Sequence, residues 1–152
     1  LLGKDPDRIA VLAAAQPVIR CLPVDVPDLV SRLKAIAPNG FDMLHDTVGH
    51  APTTDAMVQL LHPQATLLLQ AQYFDKQACA LDLDQIKIKE LTVKTTCGTR
   101  QDDWEQTTAN IRAGILHTAE LITHRFEAAD VLRAYELLLN GTPHNLGMVI
   151  HW

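Results

Sequence analysis

The fold is decided by residues 41–50, which read Phe41-Asp42-Met43-Leu44-His45-Asp46-Thr47-Val48-Gly49-His50. The first half predicts a short buried strand that stops at Asp46 and enters a turn containing Gly49. A helix opened by Thr53 and Thr54 and carrying Met57, Leu60 and Leu61 is expected next. Residues 65–71 (ATLLLQA) form an almost continuous apolar run, typical of a parallel strand covered on both faces. Because open α/β sheets bind ligands at the carboxyl ends of their strands, the turn after Asp46 is the predicted binding edge.

Composition and charge indicate an ordinary globular domain. The chain has 152 residues, of which 47% are hydrophobic and 20% are charged, enough for one sizeable core. A net charge of -5 without a basic stripe argues against nucleic-acid binding. Its three cysteines are widely spaced, which favours a reducing cytoplasm over a disulfide framework. No apolar run reaches the ~20 residues of a membrane span, so no membrane partner is expected.

Strands and helices are expected to alternate along the rest of the chain. Residues 1–3 read as the end of a strand, so we expect the chain to begin inside a larger sequence. A helix capped by Asp5 ends at Pro17, a short strand covers residues 18–22, and a second helix covers residues 28–36. Later elements are a strand over residues 86–96, a helix from Gln101, an extended piece over 121–126, a helix over 130–140 and a strand over 146–152. This alternation predicts an α/β, doubly wound parallel sheet.

Six short segments along the chain carry a family resemblance. They are residues 1–8 (LLGKDPDR), 42–49 (DMLHDTVG), 61–63 (LHP), 89–94 (KELTVK), 121–126 (LITHRF) and 134–138 (AYELL). In this order they resemble the medium-chain dehydrogenases, the superfamily of zinc-containing alcohol, polyol and threonine dehydrogenases. The ending and residues 121–125 are also similar to the bacteriochlorophyllide hydroxyethyl dehydrogenase branch.

The resemblance implies the C-terminal half of such an enzyme. Residues 1–125 would form a partial dinucleotide-binding (Rossmann) domain, and residues 126–152 a helix and strand that return toward the catalytic domain. The family's first strand, GxGxxG turn and zinc ligands do not occur in this sequence. Zinc is therefore expected only in an N-terminal domain, and no catalytic residue is assigned to this chain. In the family's sheet, whose strand order is 3-2-1-4-5-6, the first strand lies between strands two and four. Without it these two strands would have unpaired backbone groups, so we expect the chain alone to be inactive.

Residues 1–3 would be the end of the family's second strand, which is expected to read the adenosine ribose of the cofactor. The resemblance places Gly3, Lys4 and Arg8 there, and NAD-preferring members of the family carry an acid at the position of Gly3. Two cations near a missing acid favour the 2'-phosphate of NADP over NAD. The alternative is that both cations are solvated charges at a helix start.

The turn after the organising strand is the second cofactor segment. Thr47, Val48 and Gly49 match the family's turn where backbone and small side chains meet the cofactor, and Gly49 allows close approach. Thr47 could instead be only a turn residue. Asp46 is expected to tie down the turn through backbone N–H groups rather than to act as a base.

Two further strand ends complete the predicted cofactor set. Ala71 and Gln72 follow the next strand beside the expected nicotinamide, and Thr96 and Gly98 follow the strand after it. The alternative for Thr96 and Gly98 is that they only end the strand and do not contact a cofactor. The family commonly has Gly at the position of Ala71 and a Gly pair at residues 64–65, so this chain departs from the pattern there.

Metal binding and assembly are predicted from spacing and resemblance. No two of the seven histidines have the i,i+4 helical spacing of a metal site, so they are interpreted as surface or core residues. In dimeric members of the family the strand over residues 91–96 is a sheet edge that pairs with its copy, which implies a homodimer.

The predicted function is an NAD(P)-dependent oxidoreductase that moves hydride between nicotinamide and a small alcohol or carbonyl substrate. One rival is a non-catalytic nucleotide-binding or assembly module that needs a partner chain. A second rival is a methyltransferase-like α/β fold, which the KELTVK and LITHR segments disfavour.

Overall fold

The computed structural model describes residues 1–75, 79–141 and 145–152. Its helices are α1 Pro6–Ala15, α2 Leu29–Ile36, α3 Ala51–Val58, α4 Leu83–Ile88, α5 Gln101–Arg112 and α6 Val131–Asn140. Its strands are β1 Leu2–Gly3, β2 Leu22–Pro23, β3 Phe41–Asp46, β4 Leu61–Leu69, β5 Thr92–Thr95, β6 His124–Glu127 and β7 Met148–His151. Within these ranges, no helix has the length and apolar character needed to cross a membrane.

The chain divides into two compact units, Leu1–Val26 with Arg100–Trp152, and Pro27–Thr99. The first unit contains two small parallel sheets, β1-β2 and β6-β7. The second contains the parallel sheet β3-β4-β5. Helices interspersed with parallel strands confirm the α/β class. The domain boundary at residue 125 stays a prediction.

The second unit has a small apolar core behind its sheet. Val58 from α3 packs with Leu61, Ala65 and Leu67 of β4, and Leu67 is fully buried. Partly buried apolar residues of β3, α4 and the flanking loops close around this cluster. The core therefore holds the sheet and α3 as one body, which positions the turn between β3 and α3.

Lys89, from the KELTVK segment, makes hydrogen bonds to backbone carbonyl groups at the amino ends of these strands. Its Nζ donates to the carbonyl oxygens of Val58, Gln59 and Leu61 at 3.2, 2.7 and 2.8 Å. Burial lowers the pKa of Lys89, and the positive charge of Lys34 lowers it further. Lys89 therefore links the end of α3 to the start of β4, at the edge opposite the predicted binding edge.

Two predicted strands are wrong in part. Residues 18–20 are not a strand: Ile19 N–H donates to the Gln16 carbonyl in a turn after α1, and β2 begins only at Leu22. The first half of the predicted strand 86–96 is the end of α4, because Asp82 caps that helix by accepting from the Asp84 and Gln85 N–H groups. The helix that Asp82 caps therefore includes residues 86–88, which the sequence predicts as the start of the strand 86–96.

The organising strand is correctly placed, but its burial is not as predicted. In the described part of the chain β3 pairs only with β4, and Met43 of β3 is 55% exposed. The helix that follows begins at Ala51, ahead of Thr53, and ends before Leu60. Leu61 belongs to β4, where it joins the core.

The departure from the family's glycine pair leaves a strained backbone. Gln64 has φ 66°, in the left-handed region that favours glycine, and Glu90 has φ 52°. Such a conformation costs a larger residue roughly 1–2 kcal/mol. Gln64 holds it with its N–H on the Lys89 carbonyl at 2.7 Å and its side-chain amide on Glu90 Oε2 at 3.2 Å. These two hydrogen bonds connect β4 to the loop before β5, and they stabilise the left-handed conformation of Gln64 at a position where the family has glycine.

Candidate functional site

Three strand ends meet at one edge of the sheet in the second unit. β3, β4 and β5 run parallel, with Asp46 paired to Leu69 and Leu69 paired to Thr95. The segments that follow them therefore leave the same edge: the turn at residues 47–50, the segment at 70–72, and residues 96–98. The carboxyl edge of a parallel sheet is where loops gather polar backbone and side-chain groups around a ligand.

Asp46 joins the first two of these segments. Its Oδ1 accepts from the Val48 and Gly49 N–H groups at 2.8 and 3.0 Å, which confirms that it ties down the turn. Its Oδ2 accepts from the hydroxyls of Thr54 and Tyr73. Its backbone carbonyl accepts from Gln70 and Ala71 N–H groups at 3.0 and 3.2 Å. One residue thus links β3, α3 and the end of β4.

The Asp46 carboxylate is buried yet stays ionised. Burial raises its pKa, but the hydrogen bonds from Tyr73, Gly49, Thr54 and Val48 outweigh this and hold the pKa at about 2. Burial and the neighbouring carboxylate raise the pKa of Tyr73, so its hydroxyl remains a donor. A carboxylate with both oxygens occupied has no free lone pair directed at a ligand. The Asp46 carboxylate therefore stabilises the turn and does not serve as a base that accepts a substrate proton.

The turn and the segment after β4 are in direct backbone contact. Gly49 has φ 81°, and a Cβ at this position would lie 2.2 Å from the Gln72 carbonyl oxygen and 3.3 Å from the Ala71 Cβ. Thr47 and Val48 project outward, with Val48 77% exposed. The structure therefore brings together Thr47, Val48, Gly49, Ala71 and Gln72.

At the end of β5, Thr96 lies beside the end of β4, whereas Gly98 makes no close approach to another segment. Thr96 N–H donates to the Leu69 carbonyl at 3.2 Å, which places Thr96 next to the end of β4. Gly98 has φ 70°, and a Cβ built there would meet no atom within 4 Å. Thr96 is therefore part of the edge, whereas Gly98 lies in open space beyond it.

The other predicted site residues lie in the first unit. Gly3, Lys4 and Arg8 line an open cavity of about 250 Å³ whose apolar walls are Leu1, Ile9, Leu12 and Leu146. A Cβ at Gly3 would lie 3.1 Å from Ile9 Cγ1, so an acid at position 3 would require Ile9 to shift.

Asp5 organises the polar rim of this cavity. Its Oδ1 caps α1 by accepting from the Asp7 and Arg8 N–H groups at 3.0 and 3.1 Å. Its Oδ2 lies 3.4 Å from Arg8 Nε, so the Arg8 guanidinium already has an acidic partner.

Comparison with known proteins decides the family. The family model of zinc-binding dehydrogenases matches residues 6–113. This chain is a zinc-binding dehydrogenase family member. Among curated proteins, no sequence matches it.

Solved structures of alcohol and butanediol dehydrogenases share the fold. 2R,3R-butanediol dehydrogenase from Bacillus subtilis is 14% identical with a TM-score of 0.82, over 99% of this chain and 42% of that chain. A short chain alcohol dehydrogenase from Escherichia coli CFT073, complexed with NADH, is 16% identical with a TM-score of 0.83, over 99% and 43%. Alcohol dehydrogenase TADH from Thermus sp. ATN1 is 17% identical with a TM-score of 0.82, over 99% and 43%. The chain thus spans less than half the length of these proteins.

The family name implies zinc, but the described residues do not fit it. Across residues 1–75, 79–141 and 145–152, no group of three or more His, Cys, Asp or Glu side chains could hold a metal ion. Four histidines have protein partners instead: His45 with Gln70, His50 with Thr53, His62 with Asp42, and His124 with Thr123. His144 lies outside the described residues.

Sequence reasoning missed three contributors to these sites in the dehydrogenase family member. Tyr73 and Thr54 reach Asp46 from 27 and 8 residues away, and Leu146 reaches the cavity beside Gly3. A Tyr two residues after a predicted binding position was an available signal for Tyr73. Nothing local marks Thr54 or Leu146, since each contact depends on how distant segments pack.

Proposed function

We propose that this chain is the nucleotide-binding region of an NAD(P)-dependent, alcohol dehydrogenase-like oxidoreductase. The observation that carries the proposal is the convergence of Thr47, Val48, Ala71, Gln72 and Thr96 at one carboxyl edge of a parallel sheet. Membership of the zinc-binding dehydrogenase family supports it, as does a structural neighbour complexed with NADH. When bound, the cofactor supplies hydride transfer with an alcohol or carbonyl substrate.

Each unit, taken by itself, carries residues that suit one part of a dinucleotide cofactor. The cavity beside Gly3 has apolar walls suited to an adenine ring, with the Lys4 ammonium at its rim suited to a phosphate. At the sheet edge, exposed Thr47 and Gln72 offer hydrogen-bonding groups and Val48 an apolar surface, as a carboxamide-bearing ring requires. Gly98 would take part only through its backbone.

We expect NADPH to bind more tightly than NADH. Because Asp5 holds the Arg8 guanidinium, Lys4 is the cation that meets a 2'-phosphate. Lys4→Gln should weaken NADPH about fivefold, since an exposed charge pair contributes up to about 1 kcal/mol, and should leave NADH unchanged. Fluorescence titration of both nucleotides measures this, with Lys34→Gln in α2 as the matched control.

Two outcomes of that titration count against the assignment. Equal loss of NADPH and NADH affinity in Lys4→Gln would contradict the 2'-phosphate role of Lys4 and the NADP preference. Failure of the unmodified protein to bind either nucleotide would contradict the cofactor-binding proposal and favour the non-catalytic assembly module.

The chain by itself is proposed to bind nucleotide without catalysing oxidation. The described residues hold no zinc-binding group, and the chain covers about 42% of the butanediol dehydrogenase. Residues 1–125 would serve the cofactor, and residues 126–152 would belong with a catalytic domain. Three free cysteines, two of them exposed, support a cytoplasmic location.

A homodimer through β5 is proposed for the same protein. All four residues of β5 are exposed, and Thr96 N–H points toward β4. Because N–H groups alternate sides in a parallel ladder, Val93 and Thr95 present theirs to the free edge. Val93→Pro should keep the β4 pairing but convert a dimer of twice 16.8 kDa to a monomer, measured by light scattering. A monomeric unmodified protein would refute the β5 interface.

A further inference from the structure

Tyr73 stands outside every predicted site, yet it contacts the residue that shapes the turn. It follows Ala71 and Gln72 after β4, is only partly exposed, and donates its hydroxyl to Asp46 Oδ2. Asp46 Oδ1 in turn accepts from the Val48 and Gly49 N–H groups. A single carboxylate therefore connects the Tyr73 side chain to the backbone of the turn.

The same carboxylate is held from a second side by α3. Thr54 Oγ1 lies 2.7 Å from Asp46 Oδ2, so two hydroxyls direct that oxygen while Oδ1 faces the turn. With only Thr54 on Oδ2, the carboxylate could rotate about its Cβ–Cγ bond and its alignment with the two turn N–H groups would weaken. Tyr73 supplies the donor that comes from the β4 side of the edge.

We propose that Tyr73 is a positioning residue that holds the turn Thr47–Gly49 in its cofactor-facing conformation by orienting the Asp46 carboxylate. The inference rests on the proposed function for its cofactor consequence, but the effect on the turn is independent of it. Tyr73 thereby couples the conformation of the segment after β4 to that of the turn after β3. Neither Thr47 nor Val48 needs to touch Tyr73 for this coupling.

The expected effect is local and follows from one lost hydrogen bond to a charged group. Tyr73→Phe removes only the hydroxyl. Amide hydrogen exchange at Val48 and Gly49 should become at least about tenfold faster, because a hydrogen bond to a charged group contributes about 1.5–3 kcal/mol. Exchange at the buried Leu67 of β4 should change much less, since it reports on global opening. Affinity for the nucleotide that the unmodified protein binds should fall about tenfold by the same conversion.

The control is Tyr135→Phe, which removes the hydroxyl of an exposed tyrosine on α6. It should leave both exchange and affinity unchanged. The experiment uses the full 152-residue chain with NADPH and NADH as probes, and amide exchange followed by NMR.

Each result decides between positioning and a merely structural role. Faster exchange confined to Val48 and Gly49, with weaker nucleotide binding, supports the proposal. Unchanged exchange at these two amides, an equal acceleration at Leu67, or an unchanged affinity would overturn it. If the unmodified protein binds neither nucleotide, the proposed function fails, and the exchange comparison alone still decides whether Tyr73 holds the turn.

Discussion

Gly49→Ala is expected to destabilise the second unit by about 3 kcal/mol and to abolish nucleotide binding. The new Cβ would lie 2.2 Å from the Gln72 carbonyl oxygen, well inside contact distance, and φ is 81°. A left-handed alanine costs roughly 1–2 kcal/mol, and overpacking typically adds about 1–3 kcal/mol. Relief of the clash requires the turn and the segment after β4 to separate, which disperses the proposed binding edge. Urea denaturation and nucleotide titration measure the two effects.

Gly98→Ala is the control that distinguishes the cost of a left-handed backbone conformation from the cost of a steric clash. Gly98 has φ 70°, similar to that of Gly49, but a Cβ there meets nothing within 4 Å. Its substitution should therefore cost only about 1 kcal/mol. If the two variants lost the same stability, the close approach of Gly49 to Gln72 would not be a determinant of this edge.

Lowering the pH from 5 to 2 is expected to reduce the free energy of unfolding by about 2 kcal/mol, because the Asp46 carboxylate becomes protonated. Its pKa is lowered from 3.8 to about 2 in the folded chain. A group with a depressed folded pKa contributes stability that is fully present above the unfolded value near 3.8. That stability is lost as pH falls through about 2, and each pKa unit corresponds to about 1.4 kcal/mol. The free energy of unfolding measured by urea denaturation between pH 5 and pH 2 tests this.

Asp46→Asn isolates the contribution of this carboxylate. The amide has the same shape but does not titrate, so the pH dependence of the variant should lack this component. Other acids whose pKa is lowered, such as Asp28 beside Arg32, contribute equally to both curves and cancel in the difference. Parallel curves for the two proteins over this range would exclude Asp46 as the acid-sensitive group.

Much of the fold was predictable because its signals are local. The Asp5 cap and Pro6 start of α1, the Gly141 end of α6 at φ 69°, and the turn after Asp46 all involve residues a few positions apart. The binding edge followed from the same reading, since parallel strands end on one side. One error arose at residues 86–88, which were predicted as the start of the strand 86–96 but belong to the helix that Asp82 caps.

The sequence by itself determined the α/β class, the family resemblance and the strand ends that carry the proposed site, because apolar periodicity, caps and turns act over a few residues. Only the tertiary structure decided that Tyr73 reaches Asp46 across 27 residues, and that Lys89 reaches the Gln59 carbonyl across 30. It also decided that Gln64 adopts a left-handed conformation in place of glycine. These features depend on the register of β3, β4 and β5, which sets which distant groups come within hydrogen-bonding distance.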